Sequence, residues 1–346
     1  MDSRTQSIPN LSSLQAGRGI AAVLVVLFHT TVMFAAPKYW GTVILGDAFR
    51  FGFAGVEFFF VLSGFIMMHV HRRDIGRSER LRAYLEKRAA RIYPIYWIVS
   101  LAFMAMAVTV NSVRWADVLN TPFLIGPNSV ALLGVAWTLF HEVLFYLFFA
   151  GLILHRRVGW SVLAIWFVLC TLWFGRAPPH YALSSINLLF GFGIAAALLL
   201  GRTPVPRVVL CLGVTAFIAV GIETVWLNIL REPTRELAFG LAAAFAIAGA
   251  VKAELSGSIR VPNWLSRLGD SSYALYLCHY PLLSAIAKVW MATPLRWIPA
   301  VVAFPIVVLL CVGAGYLLHI AVEKPLLQRL RRRRSGEGPQ GAREAA

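Results

Sequence analysis

Two ionisable residues share the first long apolar stretch of the chain, Leu14 to Thr30, LQAGRGIAAVLVVLFHT. Arg18 and His29 are eleven residues apart, roughly three helical turns, so on a helix they lie on one face. At about 1.5 Å per residue the imidazole sits roughly 16 Å deeper than the guanidinium, near mid-bilayer. An ionisable group at that depth is costly and faces a bundle interior or a wet cavity. Such a histidine either satisfies a neighbouring helix through a hydrogen bond or does acid–base or nucleophilic chemistry.

Other polar groups interrupt apolar runs in the same way. Glu57 lies in GVEFFFVLSGF, His141 and Glu142 in AWTLFHEVLFYLFF, His279 in SSYALYLCHYPLL, and Glu323 in HIAVEKPLL. Any one of them alone is most often a structural ion pair. Together with His29 they point to a shared polar cavity. The His141-Glu142 pair is not a zinc-protease motif, because Phe145 stands where the second histidine would be. There is no P-loop, no GxSxG elbow and no C-x-x-C, so no metal site is expected. Cys170, Cys211, Cys278 and Cys311 read as small core residues without metal-ligand spacing.

A second focus is the basic segment HRRDIGRSERLRAYLEKRAARIYPIYW, from His71 to Trp97. Arg88 and Arg91 are three residues apart and therefore neighbours on one helix face. Two planar guanidinium forks on one face match phosphate oxygens bidentately. The alternative is topology-setting charge that meets phospholipid. With Arg18 on the same side, a soluble phosphorylated ligand gains weight.

The elements that must position these groups follow from composition. Of 346 residues, 59% are hydrophobic and 14% charged, whereas a soluble domain is about one quarter charged. Most of the chain must therefore sit in lipid. The net charge of +16 would suggest nucleic acid only on a clustered basic face of a soluble domain. Here the basic residues punctuate apolar runs, and nucleic acid is excluded as a partner. The expected fold is an all-α, polytopic membrane helix bundle with about ten transmembrane helices, since only a helix satisfies its own backbone in hydrocarbon. The spans are expected near 14–36, 48–70, 92–111, 131–154, 158–175, 182–200, 206–230, 236–252, 272–291 and 297–320. With the N-terminus inside, the inner segments hold 24 of the 32 Lys and Arg and the outer segments 8. That bias predicts both termini cytoplasmic. Residues 1–13 read as a cytoplasmic lead without a cleavable signal, 14–330 as the transmembrane domain, and 331–346 as a basic, flexible tail against anionic membrane lipids.

Six segments in order, LQAGRGIAAVLVVLFH, GVEFFFVLSGFIM, KRAARIYPIYW, WTLFHEVLFY, SSYALYLCHYPLL and VEKPLL, resemble those of the acyltransferase family 3 membrane proteins, the polysaccharide-modifying O-acyltransferases. The form WTLFHEVLFY is most similar to the exopolysaccharide acetyltransferase branch. The resemblance implies ten core helices in the bacterial cytoplasmic (inner) membrane. It implies no bound cofactor, with acetyl-CoA or another acyl-CoA as a donor substrate loaded from the cytoplasm. It also implies a glycan acceptor whose hydroxyl is acylated at or beyond the outer leaflet. The family's arginine-x10-histidine pattern falls on Arg18 and His29, its arginine-x2-arginine pattern on Arg88 and Arg91, and its span-four glutamate on Glu142. Two departures stand out: Glu57 replaces the usual aspartate, and Ala16-Gly17-Arg18 replaces the usual Leu-Arg before the glycine. Some relatives carry a C-terminal extracytoplasmic hydrolase-like domain. This sequence shows none, so it is expected to act alone, with polysaccharide-assembly proteins, or with a separate extracytoplasmic transferase.

The implied mechanism has Arg18, Arg88 and Arg91 binding the donor phosphates and His29 as general base or transient acyl acceptor. Glu142 would orient the imidazole. Glu57, His141, His279 and Glu323 remain further candidate cavity groups. The rivals are a transporter or flippase for a glycan precursor, an acyltransferase acting on a small secondary metabolite, and a passive scaffold. Transport would be favoured by inverted repeats with broken helices at matched positions, and no such pairing is seen.

Overall fold

The computed structural model describes residues 11–108, 122–124 and 133–335, and every regular element among them is helical. In chain order these are α1 (Ser12–Ala35), α2 (Gly55–His71), α3 (Leu81–Val108), α4 (Trp137–Leu154), α5 (Arg156–Leu172) and α6 (Leu188–Leu199). They continue with α7 (Pro206–Ile222), α8 (Thr234–Leu255), α9 (Asn263–Asp270), α10 (Ser272–Ala292), α11 (Ala300–Leu318) and α12 (Lys324–Ser335). Each expected span falls on one of these helices. Seven helical segments are long and apolar enough to cross a membrane, which makes the chain an all-α, multi-pass membrane protein.

The three expected spans outside those seven are α3, α5 and α10, and each has a physical reason. α5 has 17 residues, α10 carries Ser272, Tyr273, His279 and Lys288, and α3 starts in the basic segment. α3 begins at Leu81, ahead of the expected start at 92, because hydropathy reports only its apolar half. Tyr84, Ile92, Ile95, Tyr96 and Val99 are all buried along it, so packing carries the helix through the charged turns. The expected end of that span at 111 and start of the next at 131 lie outside the described residues.

Small residues bring the helices together, as they do where lipid offers no hydrophobic drive for association. α2 crosses α6 at Gly64 and Gly193: a Cβ on Gly64 would meet the Phe190 backbone carbonyl, and one on Gly193 that of Val61. α9 lies against α1 where Gly269 meets the backbone of Gln15. Glu254, at the end of α8, accepts from the backbone N–H groups of Ser12 and Ser13 at 2.9 Å each. Its carboxylate satisfies two orphan donors of α1 and complements the helix dipole. At the opposite end, Phe34 stacks on Trp40 with centroids 3.8 Å apart and packs with Phe304 and Trp290. Exposed leucines and valines on α7 and α11, such as Leu212, Val301, Leu309 and Leu317, face lipid. The expected domain boundary at 330 falls inside α12, which runs to Ser335.

Candidate active site

The helices enclose a cavity of about 690 Å³ between α1, α2, α3, α4, α10 and α12. Its walls change character along its length. One end is basic, with Arg18, Lys87, Arg88 and Arg91, and is flanked by Leu327 and Leu330 of α12. The far end is apolar and aromatic, with Val56, Phe59, Phe60 and Tyr276. The structure therefore brings Arg18, Arg88, Arg91 and Glu142 to one cavity.

The three arginines differ in what holds them. Arg91 Nη1 donates to Glu323 Oε1 at 3.0 Å, and its guanidinium lies 5.1 Å from the Tyr273 ring centroid. The other Glu323 oxygen pairs with His319 Nδ1 at 2.7 Å. Glu323 is 1% exposed, placed there by a π-helical turn, His319–Glu323, between α11 and α12. Arg18 Nε donates to Ser272 Oγ at 3.2 Å. Arg88 sits over the rings of Tyr84 and Tyr146, and its buried Nε has no protein partner. Buried donors are nearly always satisfied, and this one stays open on the cavity wall.

Glu142 faces the arginines from α4. Its Oε1 accepts from the Tyr146 hydroxyl at 2.5 Å and from Ser63 Oγ at 3.4 Å. The Tyr84 hydroxyl in turn bonds the Tyr146 carbonyl at 3.0 Å, which ties α3 to α4 at the basic end.

His29 lies beyond the cavity lining. Its Nδ1 is 3.0 Å from the Val25 carbonyl and 3.2 Å from His279 Nε2. The expected link from Glu142 to the imidazole is not made: Glu142 bonds Tyr146 and Ser63, and the neighbour of His29 is His279. One turn before His279 on α10, Tyr276 lines the far end of the cavity and bonds Thr138 Oγ1 and the Val135 carbonyl, each at 2.9 Å. Tyr276 thus stands between this cavity and the histidine pair. His141 and Glu57 are elsewhere. His141 is buried against Asn187 Oδ1 at 2.8 Å, and Glu57 is 4% exposed, with one oxygen unpartnered. The single cavity expected for six ionisable groups is divided, and of those six Glu142 alone lines it.

Sequence reasoning missed the tyrosines and serines of the wall. A signal was present: Tyr146 stands four residues after Glu142, and Tyr273, Tyr276 and His279 recur every three residues along SSYALYLCHY, which places each near the next on a helix.

A family model described as an acyltransferase domain matches residues 11–319. The chain belongs to acyltransferase family 3. Over 318 residues it is 31% identical to the exopolysaccharide production protein ExoZ of Rhizobium meliloti (strain 1021), covering 86% of this chain and 96% of that relative. No solved structure matches the chain. Membership in acyltransferase family 3 makes it a transferase, and the matched span contains Arg18, His29, Arg88, Arg91, Glu142 and His279. α12, which supplies Leu327 and Leu330 to the cavity wall, lies past the matched residues.

Proposed function

We propose that this chain is an O-acyltransferase of the bacterial inner membrane. It moves an acyl group, acetyl in the simplest case, from cytoplasmic acyl-CoA to a hydroxyl of an exopolysaccharide or other cell-surface glycan. The observation that carries this reading is the graded cavity: basic at one end, apolar at the other, and ending at Tyr276, one helical turn short of His279, the neighbour of His29. Phosphates suit the Arg18, Arg88 and Arg91 end, where planar forks match their oxygens. A pantetheine arm and acyl group suit the apolar end. The excess of basic residues at the arginine end supports loading from the cytoplasm. The similarity to a protein of exopolysaccharide production supports a glycan acceptor.

The chemistry is one acyl transfer. His29 takes the proton of the acceptor hydroxyl, and the hydroxyl oxygen forms the ester bond to the acyl carbon. The carbon–sulfur bond breaks, and the CoA sulfur leaves as a thiolate that regains a proton. The test is release of free thiol from acetyl-CoA by the purified protein, with and without polysaccharide. His29→Ala should lower acceptor-dependent turnover by about 10²- to 10⁴-fold while the protein still inserts and folds. Undiminished transfer by a well-folded His29→Ala protein removes the base from this reading. Saturable glycan binding with no turnover on any acceptor would replace it with transport.

A further inference from the structure

His29 on α1 and His279 on α10 meet with Nδ1 and Nε2 3.2 Å apart, and their other neighbours assign the protons. His279 Nδ1 is 2.6 Å from the Tyr276 carbonyl. A carbonyl only accepts, so that nitrogen carries hydrogen. In a neutral ring the other nitrogen then holds a lone pair, and His279 Nε2 is an acceptor. His29 Nδ1 must donate to it. The second neighbour of that nitrogen, the Val25 carbonyl at 3.0 Å, is an acceptor too and agrees. A doubly protonated His279 would instead push its N–H at His29 Nδ1 and leave a lone pair there facing the Val25 oxygen. One arrangement satisfies all three contacts, and it leaves His29 Nε2 bare.

We propose that His279 is the positioning residue for His29, holding its ring in the Nδ1–H form with Nε2 free to take the acceptor's proton. This rests on the reading of His29 as the base. The Val25 carbonyl shares the task, but it belongs to α1 itself and moves with that helix. His279 is the acceptor supplied from another helix, and it is fully buried. Its ring is fixed by the Tyr276 carbonyl and packs against the rings of Tyr276 and His29 at 5.7 and 4.9 Å. When Nε2 takes a proton the ring becomes cationic and its Nδ1–H bond tightens onto His279. This is the place a carboxylate fills in a serine-hydrolase triad, filled here by a second imidazole. Because the Tyr276 carbonyl orients His279 and the Tyr276 side chain lines the cavity, the far wall of the cavity and the orientation of the base share one residue.

The experiment compares His279→Leu, which removes the acceptor, with His279→Gln, whose side-chain oxygen can stand where Nε2 stood. Kinetics use acetyl-CoA and polysaccharide, and ¹⁵N spectra are taken of histidine-labelled protein, with His29→Ala assigning the resonances. Expected results are a protonated Nδ1 and a bare Nε2 for His29, and a kcat lowered about tenfold or more by His279→Leu. The KM for acetyl-CoA should stay within about twofold, and His279→Gln should recover most of kcat. If the leucine variant fails to fold, His279→Asn, too short to reach His29, takes its place. A wild-type His29 protonated at Nε2 overturns the assignment whatever the activity. So does an unchanged kcat in the folded leucine or asparagine variant, or glutamine as damaging as either. Activity retained in His29→Ala would instead overturn the base role itself, and the spectra would still decide the tautomer.

Discussion

His141 and Glu142 are adjacent in sequence and end in opposite kinds of surroundings. About 100° of helix rotation separates them, enough to send one into a closed cluster and the other onto the cavity wall. The closed cluster is satisfied bond by bond. His141 Nδ1 meets Asn187 Oδ1 at 2.8 Å, and Asn187 Nδ2 donates to the carbonyls of Tyr181 and Ala182 at 3.0 and 3.2 Å. Trp166 Nε1 also bonds the Ala182 carbonyl, at 2.6 Å. The cavity wall is incomplete by the same measure: Arg88 keeps a buried Nε without a partner opposite Glu142. On the proposed reading Arg88 waits for a ligand while the closed cluster holds helices together, because an unmet buried donor is costly unless something binds it.

The largest effect that would test this contrast is at Arg88. Arg88→Ala should raise the KM for acetyl-CoA by tenfold or more, since a hydrogen bond to a charged group is worth about 1.5–3 kcal/mol. Arg88→Lys should recover the lost affinity only in part, because an ammonium lacks the planar fork. Steady-state thiol release at varied acetyl-CoA measures both. An unchanged KM in Arg88→Ala would mean that the open donor marks no donor site.

The closed cluster should answer with stability instead. Asn187→Ala strands the His141 N–H inside the bundle and takes one donor from each of the Tyr181 and Ala182 carbonyls, at a cost of about 1–3 kcal/mol. Unfolding in detergent should show that loss, with acetyl-CoA KM unchanged in the fraction that remains folded. A raised KM at full stability would place the cluster in the site after all.

Much of this was legible in the sequence, within limits set by what a linear pattern can report. Apolar runs located the helices, because lipid forces helix on any such segment. The three-residue spacing of Arg88 and Arg91 and their pairing with Arg18 put the basic end of the cavity on the page before any coordinates. Partner choice was not legible. Nothing in HIAVEKPLL says that a π-helical turn aims Glu323 at Arg91. Nothing in the chain order says that His279, 250 residues from His29, stands beside it where Glu142 was expected. The glycine contacts at Gly64 and Gly193 were equally hidden, since a glycine within an apolar run looks the same whether it faces lipid or another backbone. Periodicity assigns a residue to a helix face. Which face meets which helix is settled by packing across the whole bundle.

The smallest expected effect sharpens the contrast within one segment. Arg82 and Arg88 both belong to the basic run that opens α3, and by composition alone they are interchangeable. The Arg82 side chain is 92% exposed and bonds Glu86 at 2.9 Å one turn along the helix. Exposed pairs of that kind contribute little, because water and salt screen them. Arg82→Ala should therefore leave acetyl-CoA KM within about twofold of wild type, an expectation from the weakness of such pairs. The same titration that reports a large shift for Arg88→Ala reads it. If both variants raise KM alike, the donor is attracted by the net charge of the segment, and the geometry around Arg88 carries no special weight. If the two separate, charge sets which side of the membrane the segment occupies, while the unmet N–H on the cavity wall sets what binds there.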